Sequence, residues 1–347
     1  MICALIMAGG IGTRFWPLST EERPKQFLNL IGKDTMIQMT VKRLLGIIPM
    51  ERIFISTGEK YVSLVKEQLP ELSERNIIVE PEGRNTAPSI ALSSMLINRY
   101  YRNSSVIVLP SDHLINQEDK FRKLINQYDK FLDSNNEGII TFGIKPTRAE
   151  VGYGYIKVND KEVIENNLVK VKKFVEKPNK KLADEYYKSG EYLWNSGIFM
   201  WKVSYIIEKI KEYLPNTYEA LNDIETVKEE FIQDIINKNY QYTDKISIDY
   251  GILEKDNNIF VVPCDIGWDD IGTWEALDRY REKDESGNIG SVQIDAIDSK
   301  NNIVFTDNKE VVIDKLNGIY IIESKDKIYI GKKSNISNLK KYRYNMV

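Results

Sequence analysis

At 347 residues and 42% hydrophobic content, the chain exceeds the usual single-domain size and can build a large core, so one α/β domain plus a smaller appendage is expected. Lys+Arg (48) and Asp+Glu (51) nearly cancel to a net charge of −3 with no long block of one sign, which argues against nucleic acid and anionic membrane surfaces as partners. A single histidine, His113, and two distant cysteines, Cys3 and Cys264, exclude multi-histidine and cysteine-cluster metal sites, leave triad chemistry only to His113, and suit a reducing cytoplasm.

The chain opens on the apolar run Ile2–Ala8, too short for the core of a signal peptide and with no basic stretch before it. It reads as a buried strand, and no later run approaches a membrane-spanning length. Strands are expected at Ile2–Met7, Ile53–Thr57, Ile77–Glu80, Val106–Leu109 and Ile139–Phe142, alternating with helices at Met36–Ile48, Tyr61–Gln68, Ala87–Arg99 and Lys120–Leu132. That alternation is the βαβ rhythm of an α/β fold, a Rossmann-like, mostly parallel sheet flanked by helices. Further on, Tyr153–Val158, Val169–Val175 and Ile198–Trp201 read as strands around a helix at Lys181–Lys188, and a polar helical region follows over 203–255. After residue 285 the runs Asn302–Phe305, Val311–Ile313, Gly318–Ile322 and Lys327–Ile330 are separated by Asn, Asp, Gly and Lys. They predict a small β-rich C-terminal domain over 286–347, leaving 1–285 as the catalytic domain.

Ligands of open parallel sheets bind beyond the carboxyl ends of the strands. The residues with chemistry to offer fall there: Gly9–Lys25 after the first strand, Pro81–Pro88 and Pro110–His113 after later ones. Gly9, Gly10 and Gly12 let backbone N–H groups approach phosphate oxygens with no Cβ in the way, and Thr13 and Arg14 follow at once. A Walker A loop would need Gly-Lys-Ser/Thr, and the dinucleotide pattern G-x-G-x-x-G fails at Phe15. Instead the cations are Arg14 and, after Pro17 and Pro24, Lys25.

The whole segment, G-G-x-G-T-R-x-x-P-x-S-x-x-x-x-P-K from Gly9 to Lys25, resembles the signature of the sugar-nucleotide pyrophosphorylases, a family of nucleotidyltransferases. Further segments resemble the mannose-1-phosphate guanylyltransferase (GDP-mannose pyrophosphorylase) branch: Phe15-Trp16-Pro17-Leu18-Ser19, Pro24-Lys25-Gln26-Phe27-Leu28, Glu80-Pro81 with Arg84-Asn85-Thr86-Ala87-Pro88, and Pro110-Ser111-Asp112-His113. So do Gly152-Tyr153-Gly154-Tyr155-Ile156, Phe174-Val175-Glu176-Lys177-Pro178, Trp194-Asn195-Ser196-Gly197, Ser247-Ile248-Asp249-Tyr250 and Trp268-Asp269-Asp270-Ile271-Gly272. No motif residue departs from the pattern, and only the chain beyond residue 285 matches weakly.

The resemblance implies a transfer of GMP from GTP to mannose 1-phosphate, giving GDP-mannose and pyrophosphate. Attack at a phosphorus asks for positioning and charge neutralisation rather than a side-chain nucleophile, so a lone histidine is no obstacle. A divalent cation, Mg²⁺ above all, would be held by Asp112 and Asp270, with Asp269 as the rival of Asp270 and His113 as a partner rather than a ligand. Gly9, Gly10, Gly12, Thr13, Arg14 and Lys25 would hold the nucleotide phosphates. Glu80 to Pro88 would read guanine with the help of Asn85 and Thr86, either of which also suits the cap of the helix that follows. Tyr153, Gly154, Glu176, Lys177 and Asn195 would hold the sugar phosphate, although strand alternation aims Glu176 and Lys177 to opposite faces unless the strand bends. A guanylyltransferase for another sugar 1-phosphate, such as a manno-heptose, and a non-catalytic regulatory subunit are the alternatives. Phosphomannose isomerase activity is not expected, because the histidines of a metal-binding cupin are missing. A homodimer is compatible with the sequence but not dictated by it.

Overall fold

Uninterrupted apolar runs are strands covered on both faces. In the computed structural model, which describes every residue except 165, 166, 308 and 344–347, four such runs become strands: β1 (Ile2–Met7), β2 (Ile53–Gly58), β4 (Ser105–Pro110) and β5 (Ile139–Ile144). With β3 (Ile77–Glu80), β6 (Tyr155–Val163), β7 (Val169–Val175), β8 (Tyr192–Lys202) and β9 (Ile259–Cys264) they form one sheet in the order β3-β2-β1-β4-β8-β5-β9-β7-β6. The first four strands are parallel, with Leu5 opposite both Phe54 and Val108. β8 runs antiparallel between β4 and β5, and β9 is parallel to β5 but antiparallel to β7. The strand β9 has no counterpart in the sequence reading, although its apolar core Ile259–Val262 is fully covered.

Helices cover this sheet for periodic reasons. α4 (Glu118–Ser134) buries Phe121, Ile125, Tyr128 and Leu132, a single stripe at helical spacing. α3 (Thr86–Tyr100) buries every residue from Ala87 to Ile97 and shares a core with Cys3, Leu5 and Phe54 of the sheet. α1 (Met36–Leu44) is shorter than the expected Met36–Ile48, because a turn at Leu45-Gly46 lets both Ile47 and Ile48 donate to the Leu44 carbonyl. α2 (Val62–Gln68) and α5 (Lys180–Ser189) lie within a residue of their expected bounds, and the expected helical region becomes α6 (Val203–Tyr213), α7 (Pro215–Leu221), α8 (Ile232–Asn239) and a π turn at Asp249–Leu253.

The described chain divides into two compact units. The first, residues 1–9, 41–111 and 115–268, contains the sheet. The second joins residues 10–40 and 112–114 to everything from 269 onward. Its C-terminal strands are Ile289–Gly290, Ile303–Phe305 and Ile319–Ser324, stacked in parallel, with Lys327–Lys332 antiparallel at the edge. Ile294–Ile297 pairs separately with Val311–Asp314. An asparagine ladder helps to fix the stacking: Asn302 N–H donates to the Asn288 side chain and Ile319 N–H to the Asn302 side chain. No helix of the described residues is long and apolar enough to cross a membrane.

Candidate active site

Lys25 is almost wholly buried, and a buried ammonium must find acceptors or lose its charge. Its Nζ donates to Asp112 Oδ2 at 2.8 Å and to the main-chain carbonyl of Asp270. Arg14 donates from NH1 to Asp270 Oδ2 at 3.0 Å. One lysine therefore ties together the two aspartates expected to share a cation, and an arginine closes the group. Burial alone would push the Asp112 carboxyl up, but the charges of Lys25, His113 and Arg14 and the Lys25 hydrogen bond outweigh it and hold it below the usual carboxylate range. The His113 Nε2 lies 3.9 Å from Asp112 Oδ1 and adds to that effect when the ring is protonated.

The glycine loop is shaped to meet this group. Gly12 has φ +25°, and a Cβ there would come within 3.0 Å of the Lys25 main-chain nitrogen, so only glycine lets the two segments close. Lys25 N–H donates to the Gly12 carbonyl, and Gln26, not singled out from the sequence, donates from its side chain to the Gly10 carbonyl at 2.9 Å. Gly10, Gly12, Thr13, Arg14, Lys25, Asp112 and Asp270 thus all belong to the second unit.

Asp269 does different work. It is buried, its Oδ1 accepts from Ile271 N–H at 2.8 Å, and its Oδ2 accepts from Arg279 at 3.1 Å and from the Tyr280 hydroxyl. The neighbour whose side chain meets Arg14 is Asp270, and Ile271, next in the chain, takes φ +43°, a conformation β-branched residues avoid.

Among the first unit's residues, Asn85 precedes α3 at φ +72°, ψ −172°, and its side chain accepts from Thr86 N–H. Thr86 Oγ1 accepts from Ile248 N–H at 2.8 Å. Both side chains brace the loop. Below it Glu80 is buried among hydroxyls: Tyr240 donates to one carboxylate oxygen at 2.7 Å, Ser56 and Ser89 to the other at 2.8 and 3.0 Å. Gly9 lies against the same carboxylate.

The sugar candidates converge. β7 stops at Val175, and Lys177 takes φ +42°, so strand alternation ends before the Glu176–Lys177 pair and Lys177 Nζ reaches Glu176 Oε1 at 2.6 Å. A Cβ on Gly154 would sit 2.6 Å from Glu176 Oε2 and 3.3 Å from the Asn195 Cβ, which is why a glycine stands there. Asn195 N–H donates to the Gly154 carbonyl, and its side chain donates to Asp249 Oδ1 at 3.0 Å. Tyr153, placed in a bend just before β6 rather than in it, packs edge-on against Trp194 and Trp268. Asp249 was visible in the sequence only as part of a matching segment. Burial first, and then the charge of Glu176, push its carboxyl up to about 6 against the opposing pull of Lys177 and Asn195.

Comparison with known proteins adds four findings. A nucleotidyl transferase family model matches residues 3–287. The chain is 37% identical over 352 residues to the mannose-1-phosphate guanylyltransferase 2 of Escherichia coli O157:H7, covering 98% of this chain and 72% of that one. It is 34% identical over 342 residues to the alginate biosynthesis protein AlgA of Pseudomonas fluorescens, covering 97% and 70%. A solved structure from Thermus thermophilus, described as a mannose-1-phosphate geranyltransferase, superposes with a TM-score of 0.84 at 29% identity over 99% of both chains.

Proposed function

The chain belongs to the nucleotidyl transferase family, and we propose that it transfers GMP from GTP to α-D-mannose 1-phosphate, releasing pyrophosphate and GDP-mannose. An oxygen of the sugar phosphate attacks the α-phosphorus of GTP while the bond to the β-phosphate oxygen breaks. Charge grows on the leaving pyrophosphate, and fixed cations lower the barrier because they need no reorganisation as it grows. Arg14 and Lys25 are those cations, and the backbone of Gly9, Gly10, Gly12 and Thr13 lines the phosphates. The observation that carries the reading is Lys25 bridging Asp112 and the Asp270 carbonyl with Arg14 on Asp270.

The same donor set fits a divalent cation. It offers two carboxylates, oxygen donors with no cysteine, the ligand chemistry Mg²⁺ takes when substrate phosphates and water complete its shell. Asp112 and Asp270 would hold it, and it would supply charge neutralisation across the phosphates. Glu176 and Asn195 take sugar hydroxyls, Lys177 takes the sugar's phosphate, and Tyr153 and Gly154 shape the wall. Guanine is read over Glu80 to Pro88, where Asn85 and Thr86 hold the backbone that presents its N–H and C=O groups. Cys3 and Cys264 are both free thiols, consistent with a place in the cytoplasm.

The test is pyrophosphate release by the purified protein with GTP, mannose 1-phosphate and Mg²⁺. Turnover that needs all three supports the reading. Equal turnover with ATP in place of GTP overturns the base assignment, and no turnover with any sugar 1-phosphate overturns the activity.

A further inference from the structure

The loop of residues 81–85 between β3 and α3 is held at both ends. At one, the Tyr240 hydroxyl donates to Glu80 at 2.7 Å. At the other, Ala87 N–H donates to the Ile246 carbonyl at 3.1 Å and Ile248 N–H to Thr86 Oγ1 at 2.8 Å. The middle has less support: Glu82 and Gly83 are exposed, and a Cβ on Gly83 would meet nothing within 4 Å. There the tie is Arg84. Its Nε and NH2 both donate to the Thr243 carbonyl, at 3.1 and 2.8 Å, and its NH1 donates to Glu82 Oε1 at 2.8 Å. One planar guanidinium thus joins the loop to itself and to a segment 159 residues further along the chain.

Thr243 is a firm anchor. Its hydroxyl and its N–H both donate to the Tyr240 carbonyl, and the Asp244 carboxylate beside it accepts from Asn216 and from the N–H and hydroxyl of Thr217, both on α7. We propose that Arg84 is a positioning residue for base recognition: it pins the middle of the loop so that the backbone there stands ready for one base, and so sharpens the preference for guanine over adenine. The inference rests on the reading that Glu80 to Pro88 meets the base.

A loop ordered only by its ligand loses part of the binding free energy to that ordering, whereas a pinned loop does not. Discrimination needs the same rigidity, because a wrong base is rejected only where the loop cannot shift to pair with it. Arginine suits the task and lysine does not: a flat fork holds the Thr243 carbonyl and the Glu82 carboxylate in one fixed geometry, and an ammonium on a flexible stem does not. The other use of an arginine beside a nucleotide is to bind phosphate directly. Here all three nitrogens face protein acceptors and the side chain is only 19% exposed, which fits a brace.

The experiment measures kcat and KM for GTP, ATP and mannose 1-phosphate, inhibition by pyrophosphate, and thermal melting in wild type, Arg84→Lys and Arg84→Ala. The expected result for Arg84→Ala is a KM for GTP raised about tenfold, a narrowed GTP-to-ATP ratio of kcat/KM, and a kcat and mannose 1-phosphate KM kept within about twofold. Arg84→Lys should resemble Arg84→Ala, and it carries the test if the alanine variant does not fold. Millimolar guanidinium ion should restore part of the ratio in Arg84→Ala, which a fold weakened for any other reason would not allow. A lowered melting temperature with an unchanged ratio reduces Arg84 to a brace of the fold and overturns the proposal. So does weakened pyrophosphate inhibition with an unchanged ratio, which makes Arg84 a phosphate ligand. If wild type already uses ATP and GTP equally, the base assignment itself fails and this inference with it. A wild type that discriminates, beside variants that do so equally well, removes Arg84 alone.

Discussion

Asp269 and Asp270 are adjacent in the chain and differ in every contact. Asp269 spends its oxygens on Ile271 N–H, Arg279 and Tyr280, all within its own fold unit, whereas Asp270 meets Arg14. Asp270→Asn and Asp112→Asn should therefore lower kcat by about 10²-fold or more, since each withdraws charge from the proposed phosphate centre, and Asp112→Asn should also lower the melting temperature because buried Lys25 loses its ionic acceptor. Asp269→Asn should lower stability by about 1–3 kcal/mol, because a buried donor set loses its ionic acceptor. Melting curves and initial rates on the three variants check this, and an inactive, fully stable Asp269→Asn would exchange the two roles. The acids also differ in pH. Asp112, with its folded carboxyl below the ordinary value, contributes stability that is present above the usual carboxylate range and is lost as pH falls through the lowered value. Asp249 has the opposite sign: its folded carboxyl, raised to about 6, binds a proton more tightly than in the unfolded chain, so stability falls as pH rises towards 6 and the penalty stands in full above it. Removing that penalty in Asp249→Asn should raise the melting temperature relative to wild type more at pH 8 than at pH 4.5.

Three of the loops that carry the candidate chemistry contain a non-glycine residue at positive φ: Asn85 at +72°, Lys177 at +42° and Ile271 at +43°. Such residues persist only where surrounding contacts over-determine them. Asn85 is the most informative, since its ψ of −172° puts it where glycine alone is at ease. Asn85→Gly should leave stability nearly unchanged, losing a cap but relieving strain, while Asn85→Ala should cost about 1–3 kcal/mol because it loses the cap and keeps the strain. The ratio of kcat/KM for GTP and ATP in Asn85→Gly then reads base recognition without a folding defect. A preserved ratio would leave the side chain a cap and the loop backbone the reader. Lys177 resolves a difficulty of the sequence reading. Neighbours on an ideal strand point to opposite faces, yet Lys177 Nζ meets Glu176 because the strand ends one residue earlier and the chain turns.

At the scale of the molecule, the second unit binds the signature loop to the C-terminal strands. Phe15 packs edge-on against Trp274, and Trp274 against Phe305. Trp16 meets Tyr329 with ring centres 5.2 Å apart, and Ser324 donates to the Pro17 carbonyl at 2.8 Å. Arg281 donates to the carbonyls of Asn29, Leu30 and Gly290 at once. A chain cut after residue 285 should therefore lose more than an appendage. It strips cover from Phe15, Leu30, Ile271 and Trp274, and should be inactive and poorly folded, with a lost near-ultraviolet signal and a broad melting transition. A truncated protein with a sharp transition and full turnover would show that the loop is held by its own contacts. The period of apolar residues, the turn chemistry and the glycine signature were legible in the sequence, which is why β1, β3 and β7 carry the expected bounds and why the phosphate loop, both cations and Asp112 stood out. These are local properties, set by the alternation of side chains and by what a Cβ forbids. Long-range partnership was not legible: Lys25 bridging residues far apart in sequence, Arg14 reaching Asp270, Asp249 beside Asn195, and β9 inserted between β5 and β7. Only the folded chain brings such groups within a few ångströms, and only there do burial and neighbouring charge set apart two adjacent carboxylates, Asp269 against Arg279 and Asp270 against Arg14.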